Sequence, residues 1–192
     1  MTAQSRAATA GVSHDPLAQL IADRAYRDAV GLAARRHGEA IGRLCMALLG
    51  SQAEAEEAAQ EALIAAYDAM ASYRGEGSVK AWLMGIARRI CARRLETRTR
   101  QQSKLRLVYD ASSEASQAPD DLLEKRRMAE RIRAALESLR PSEREALVLR
   151  YGADLSFREL GEACGIDEAT ARKRASRALN RLRAVLAGER MS

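Results

Sequence analysis

The stretch SFRELGEACGIDEATARKRASRALNRLRAVLAG, Ser156 to Gly188, decides the fold of the C-terminal half. Ser156 and Glu159 form the S-x-x-E pattern of a capping box, which predicts the start of a helix. Gly165 is expected to end this short helix, because glycine adopts a left-handed backbone at little cost. Asp167 then caps a second, longer helix. Two helices joined by a short turn with glycine predict a helix-turn-helix.

The second helix of this motif is predicted to have an apolar face and a cationic face. At 3.6 residues per turn, one side collects small and aliphatic residues: Ala171, Ala175, Ala178, Leu179, Leu182 and Leu186. Basic and hydrogen-bonding residues are the candidates for binding DNA: Thr170, Arg172, Lys173, Arg174, Arg177 and Arg181. Such a helix fits the DNA major groove and reads base edges near its N-terminus. The alternative, a solvated basic face, is disfavoured by the capped helix and turn before it.

The composition favours helices and an anionic partner. The 192 residues carry a formal net charge of +6, and aromatic residues make up only 4%. Scarce aromatics with abundant Ala and Leu favour helices over strands, so we predict an all-α fold. The charge is uneven, with +3 in residues 23–100 and +5 in residues 123–192, separated by −2 in residues 101–122. An excess of positive charge favours binding to polyanions and does not define a fold.

The chain is predicted to contain two small helical domains joined by a flexible linker. Residues 1–22 are interpreted as a flexible N-terminal tail, residues 23–100 as the first domain and residues 123–192 as the second. Residues 101–122 lose the helical periodicity and are rich in Ser and Asp, which indicates a linker. No apolar run approaches the roughly 18 residues of a membrane span, so we expect neither membrane insertion nor a secretory signal.

Cysteine and histidine usage argues against several kinds of site. The three cysteines, Cys45, Cys91 and Cys164, lie far apart in the sequence, without a CxxC pair, and the chain has two histidines. This pattern disfavours a disulfide framework and a zinc site, and we expect no metal or cofactor. Buried cysteines in a reducing compartment are the simplest interpretation, with a sensing role as the alternative. No phosphate loop or catalytic constellation is present, so an enzyme is not expected.

Two segments of the first half carry candidate binding surfaces. In the helix AEAEEAAQEALIAAYDAM an Ala stripe faces one side, and the candidate partner-binding residues face the other: Glu57, Gln60, Glu61 and Ile64. A later helix combines the single Trp with basic residues, which are candidates for binding single-stranded DNA: Lys80, Trp82, Arg88, Arg89 and Arg93. An aromatic side chain beside arginines suits an unstacked base with phosphates nearby. Alternatively, Trp82 anchors the helical core.

The segments AEEAAQEALIAAY, AWLMGIARRICARRL and LRPSEREALVLRYGADLSFRELGEACGIDEATARKRASRALNRLR resemble bacterial RNA polymerase sigma factors of the extracytoplasmic-function group of the sigma-70 family. The resemblance covers residues 24–186, in the family's order. Gln60 and Trp82 match the family pattern, as do Thr170 and Arg174 in the last helix. Five positions depart from it: Ala58 replaces a Leu, Arg89 an Asn and Ala171 a Val, while Glu57 stands where Asp is usual and Lys173 where a small residue is usual. The departure at Arg89 leaves the −10 sequence open.

The resemblance implies a non-enzymatic, cytoplasmic transcription factor. In this family the first domain binds the clamp helices of core RNA polymerase and opens the −10 element. The second domain docks on the polymerase flap and reads the −35 element. An anti-sigma factor usually holds such proteins inactive. A helix-turn-helix regulator with an N-terminal partner-binding domain is the alternative. It explains the second half equally well, but not the Gln60 helix followed by the Trp–Arg helix.

Overall fold

The computed structural model describes residues 15–105 and 120–188, and within them the regular structure is helical. The first half contains α1 (Pro16–Ala22), α2 (Tyr26–Leu49), α3 (Gln52–Ala69) with a 3-10 turn (Met70–Ser72), and α4 (Val79–Leu105). The second contains α5 (Asp120–Glu137), α6 (Pro141–Leu147) with a π-helical segment (Val148–Gly152), α7 (Phe157–Cys164) and α8 (Glu168–Gly188). The prediction of an all-α fold is confirmed.

The N-terminal boundary differs from the prediction, because α1 is a packed helix. Asp15 Oδ1 accepts the Leu17 amide at 3.0 Å, and Pro16 occupies the first helical position. Leu17 and Ile21 are buried in the core. The interpretation of residues 1–22 as a flexible tail is therefore wrong for Pro16–Ala22. The helix has only seven residues, and its two buried residues, Leu17 and Ile21, are too few to form a recognisable periodic pattern in the sequence. Residues 1–14 lie outside the described residues, as do residues 106–119 of the predicted linker.

The core of the first half forms between α2, α3 and α4. The Ala stripe of α3 faces inward as predicted, with Ala55, Ala58, Ala62 and Ala66 buried. Large buried side chains of α2 and α4 belong to the same apolar cluster: Ile41, Leu44, Leu83 and Met84. Small side chains on α3 allow its neighbours to approach closely. Because α3 packs on the core through its Ala stripe, the opposite face of the helix points outward.

The helix-turn-helix forms as the sequence predicts. Ser156 Oγ accepts the Glu159 amide at 3.2 Å, and Glu159 Oε2 accepts the Ser156 amide at 2.8 Å. Gly165 ends α7 in the left-handed region, at φ 68°. Leu160 is fully buried and Ile166 partly buried beneath α8. The turn thereby fixes α8 on the surface, with its apolar side inward.

The two halves pack against each other, which the sequence did not predict. Helix α7 lies against α4, and the π-helical segment lies against α2. One apolar cluster contains residues of both halves, including Met84 and Leu160. Arg43 Nε on α2 also donates to the Gly152 carbonyl oxygen at 3.3 Å. The described residues therefore form a closed arrangement rather than two separate bodies.

Replacing Ser156 by alanine is expected to lower the free energy of unfolding by about 1 kcal/mol, the usual cost of removing a helix N-cap. The Glu159 amide loses its acceptor, and the N-terminus of α7 frays. Chemical denaturation followed by circular dichroism measures the change. Ser176→Ala, at an exposed position within α8, is the matched control and should change stability little. Equal stabilities of the two variants would contradict the role of the cap.

Candidate nucleic-acid interface

Helix α8 presents the cationic face that the sequence predicted. Ala171, Ala175 and Ala178 are buried. On the outward side Thr170, Lys173 and Arg177 are exposed, and Arg174 is half-buried. The buried apolar side of α8 thus turns the basic residues near its N-terminus outward, as recognition in a groove requires.

The first turn of α8 is fixed by its cap. Asp167 Oδ1 accepts the Thr170 amide at 2.8 Å, and Oδ2 accepts the Thr170 hydroxyl at 2.6 Å. These hydrogen bonds from Thr170 hold the pKa of Asp167 below its usual value. Because the Thr170 hydroxyl already donates to the cap, its methyl group and hydroxyl lone pairs are what it can offer to a base.

Arg172 and Arg181 have structural partners. Arg172 Nη2 lies 2.8 Å from Glu168 Oε1, and its guanidinium stacks over the Phe157 ring at 4.8 Å from the centroid. Arg181 Nη1 lies 2.9 Å from a carboxylate oxygen of Glu143, which is only 8% exposed. Arg181 therefore ties α8 to α6. Both remain among the predicted contacts, but Lys173, Arg174 and Arg177 form the centre of the face.

On α4 the predicted residues divide between two sides. Trp82 is half-buried, and its ring lies 5.0 Å from that of Tyr73 at an interplanar angle of 50°. Trp82 also packs against the core, so both interpretations of it, core anchor and exposed ring edge, are compatible with its position. Arg89 is exposed, and Arg93 is 72% exposed with Nη2 3.5 Å from Glu61 Oε1. Lys80 and Arg88 instead point toward the second half.

The outward face of α3 combines acids, an amide and exposed apolar side chains. Glu57 and Gln60 are exposed, and Ile64 is 63% exposed. Arg94 on α4 contacts both acids, with Nη1 3.0 Å from Glu57 Oε2 and Nη2 2.9 Å from Glu61 Oε2. The hydrogen bonds with Glu61 and Glu57 raise the pKa of Arg94. The two predicted acids are therefore also structural, linking α3 to α4.

Sequence reasoning missed Tyr67 on this face. Tyr67 is 41% exposed and lies one helical turn after Ile64. Residues three apart are neighbours on a helix surface, so the two side chains form one apolar patch. The i, i+3 spacing of two large residues opposite the Ala stripe was the available signal.

An apolar groove of about 590 Å³ lies where the two halves meet. Its lining includes Met46 of α2, Ile132 and Leu136 of α5, and Tyr151 of the π-helical segment. Met128 and Ile132 of α5 are 48% and 39% exposed. The groove is therefore an unpredicted candidate for binding a partner.

The cysteines lie far apart in the sequence and were expected to be buried. Cys45 and Cys91 are buried, whereas Cys164 is half-buried. The fold brings the first two together, since a hydrogen bond between their thiols lowers the pKa of Cys45 and raises that of Cys91. Their separation in sequence therefore did not predict their separation in space. Within the described residues, no group of three or more His, Cys, Asp or Glu side chains is placed to hold a metal ion.

Comparison with known proteins identifies the family. Residues 33–101 match the model of Sigma-70 region 2, and residues 129–182 match that of Sigma-70, region 4. The RNA polymerase sigma factor CarQ of Myxococcus xanthus is 30% identical over 151 residues, which cover 79% of this chain and 85% of CarQ. The ECF RNA polymerase sigma factor SigE of Mycolicibacterium smegmatis is 30% identical over 154 residues. The chain belongs to the extracytoplasmic-function (ECF) sigma-70 factors. The SigE match covers 80% of this ECF chain and 60% of SigE.

Two solved structures share the fold. The sigma factor RpoE of Bartonella quintana, solved in complex with the anti-sigma factor NepR, is 25% identical with a TM-score of 0.64, covering 81% of this ECF chain and 95% of RpoE. CnrH, solved with the cytosolic domain of CnrY, has a TM-score of 0.67 at 20% identity, covering 90% of this chain and 99% of CnrH. Across residues 15–105 and 120–188, every helix is too short or too polar to cross a membrane.

Proposed function

We propose that this chain is an alternative sigma factor, which binds core RNA polymerase and directs it to promoters with a particular −10 and −35 element. The observation that carries the proposal is the presence of region 2 and region 4 on one chain, in that order. The region 2 match includes the outward face of α3 and the exposed arginines of α4, and the region 4 match includes the cationic face of α8. The partners are core polymerase and promoter DNA, and the place of action is the cytoplasm.

The proposal assigns one task to each of three helices. The exposed face of α3 around Ile64 meets the polymerase clamp. Arg89 and Arg93 on α4 contact the opened −10 strand, with Trp82 as the stacking surface. Lys173, Arg174 and Arg177 on α8 read the −35 duplex. Bond formation belongs to the polymerase, so this chain positions DNA and performs no chemistry itself.

A regulatory partner is also part of the proposal. Apolar side chains line most of the groove, together with Arg43 and Arg133, and this surface suits an amphipathic helix that also carries acids. RpoE of Bartonella quintana was solved with the anti-sigma factor NepR. We assign an anti-sigma factor to this groove by that similarity.

Two experiments together test the function. Start sites mapped after overproduction of the chain should reveal a shared pair of −10 and −35 sequences. Run-off transcription on those promoters should require both core enzyme and this chain. If the chain alone bound a specific operator tightly and did not associate with core enzyme, it would be a helix-turn-helix regulator instead.

Arg89→Ala is expected to weaken binding of the single-stranded −10 element to the holoenzyme about tenfold. A hydrogen bond from a charged group contributes about 1.5–3 kcal/mol, and the exposed Arg89 side chain can reach a DNA strand laid along α4. Fluorescence anisotropy of a labelled −10 strand measures the affinity. Arg27→Ala, which removes an exposed arginine of α2, is the control. Unchanged affinity of the Arg89 variant would remove this residue from the site.

A further inference from the structure

The groove of about 590 Å³ has the size and the lining of a small-molecule site. Four helices contribute aliphatic side chains to it: Met46 of α2, Leu136 of α5, Leu147 of α6, and Leu179 and Leu182 of α8. Pockets that bind small molecules have about 300–1,000 Å³ and are lined mostly by apolar side chains. A ligand that fills this groove must therefore be apolar along most of its length.

The two charged residues of the lining are both cationic. Arg43 is held in place, because its Nε donates to the Gly152 carbonyl oxygen at 3.3 Å and its Nη1 pairs with Glu39. Arg133 is half-buried, and within the described part of the chain it has no hydrogen bond or ion pair. None of the described residues that line the groove is an Asp or a Glu. A partly buried charge without a counterion favours an anionic ligand, since pairing offsets the cost of removing the charge from water.

One wall of the groove is the π-helical segment Val148–Gly152, and such segments occur frequently at functional sites. Its Arg150 is engaged elsewhere, with Nη1 2.9 Å from the Leu155 carbonyl oxygen and the guanidinium 4.9 Å from the centroid of the Phe157 ring. Tyr151 is the one polar side chain that the described lining has besides the two arginines. A sugar, nucleotide or peptide backbone in the groove would lose its hydrogen bonds to water without replacing them.

We propose that the groove binds a fatty acid, with the acyl chain against Met46, Leu136 and Leu182 and the carboxylate on Arg133. A wall of Leu and Met side chains adapts to a flexible aliphatic chain. The planar guanidinium matches a carboxylate through two parallel hydrogen bonds. The inference goes beyond the proposed function, and only its regulatory consequence rests on that function. A bound fatty acid covers the apolar lining assigned to an anti-sigma factor, so the two ligands exclude each other.

The test measures binding to the full chain without polymerase. A dansyl-labelled undecanoate serves as the fluorescent probe, and dodecanoate and dodecanol are the competitors. Dodecanoate should displace the probe and should bind about tenfold more tightly than dodecanol, because a hydrogen bond to a charged group contributes at least a factor of this size. Arg133→Gln should remove the preference for dodecanoate and leave dodecanol binding unchanged. Arg27→Gln, at an exposed position of α2, is the control and should keep the preference.

A second variant tests the location. Ile132 lines the groove and is 39% exposed, so the fold tolerates glutamate there. Ile132→Glu places a carboxylate beside the apolar chain and should lower the affinity for dodecanoate by about tenfold or more. Ala134→Glu is the matched control, since Ala134 is exposed on the same helix and lies outside the lining. It should bind dodecanoate as the wild type does.

The contrary outcomes are distinct from a failure of the sigma factor assignment. Absence of displacement by dodecanoate, or equal affinities of the Ile132 variant and the wild type, overturns the groove as a fatty acid site. Equal affinities of the wild type for dodecanoate and dodecanol overturn the role of Arg133 and the anionic class of the ligand. Each of these results leaves the assignment standing, because promoter mapping and run-off transcription test it separately.

A further measurement uses the wild type alone. A fatty acid with a diazirine group near the end of its chain is bound and irradiated, and the labelled peptides are identified by mass spectrometry. The label should lie on peptides of α5 and of Val148–Gly152, and excess dodecanoate should remove it. Labelling elsewhere, or labelling that dodecanoate does not reduce, contradicts the proposal even if the variants fail to fold.

Discussion

Replacing Ile64 by lysine is expected to abolish binding to core RNA polymerase while the protein stays folded. Ile64 is 63% exposed at the centre of the outward face of α3, opposite the buried Ala stripe. Its apolar surface adds nothing to the core, so the free protein tolerates the change. In the complex a lysine would be buried without a partner, which typically costs several kcal/mol. The affinity should fall by about 100-fold or more.

Pull-down with core enzyme and run-off transcription measure the effect of Ile64→Lys, and thermal denaturation verifies the fold. Ala187→Lys is the matched control, because it adds the same charge at an exposed position near the end of α8. It should bind core as the wild type does. Normal core binding by the Ile64 variant would move the polymerase contact away from this face of α3.

The choice of Ile64 depends on the structure. From the sequence alone, Glu57 is an equally good target, since it lies on the same face of the helix. In the fold, Glu57 Oε2 lies 3.0 Å from Arg94 Nη1. A lysine at position 57 would face this arginine in the free protein. A reduced affinity for polymerase would then mix a binding effect with a change in the packing of α3 on α4.

Local patterns were predictable because their causes lie within a few residues. The capping box of Ser156 and Glu159, the left-handed Gly165 and the inward Ala stripe of α3 depend on neighbouring residues in the chain. The ion pair between Arg88 and Glu145 could not be predicted in this way. It joins residues 57 positions apart. The sequence around each residue does not indicate whether its side chain will contact the other residue or solvent. The same applies to Cys45 and Cys91, which meet only after α2 and α4 have packed.

Site prediction was limited for a similar reason. A helical wheel separates the outer side of α8 from its buried side, but not one arginine from another. Arg181 and Lys173 both lie on the outer side, yet Arg181 is held by the nearly buried Glu143. Arg172 is likewise held by Glu168 and Phe157. These partners come from α6, α7 and the first turn of α8, and only the fold shows which basic residues they occupy.

The triple variant Lys173→Ala, Arg174→Ala and Arg177→Ala is expected to lose −35-dependent transcription. Removing a base-reading arginine typically costs about 1–3 kcal/mol. Truncating all three side chains should therefore cost at least about 3 kcal/mol, which lowers holoenzyme affinity for duplexes carrying the −35 element by more than about 100-fold. Core binding should remain normal, since α3 is unchanged. Holoenzyme binding to the duplex, measured over a range of salt concentrations, gives both the affinity and its salt dependence.

Salt dependence distinguishes the roles of the three side chains. A variant that no longer neutralises one phosphate should reduce the slope of log affinity against log salt by about 0.9 for duplex DNA. A single variant that removes a hydrogen bond to a base should instead relax the preference at one base pair. Arg183→Ala is the control, because Arg183 is exposed but lies on another flank of α8 at about 100° per residue. If it weakened binding as much as the triple variant does, α8 would contribute only general positive charge, and −35 recognition would have to reside elsewhere.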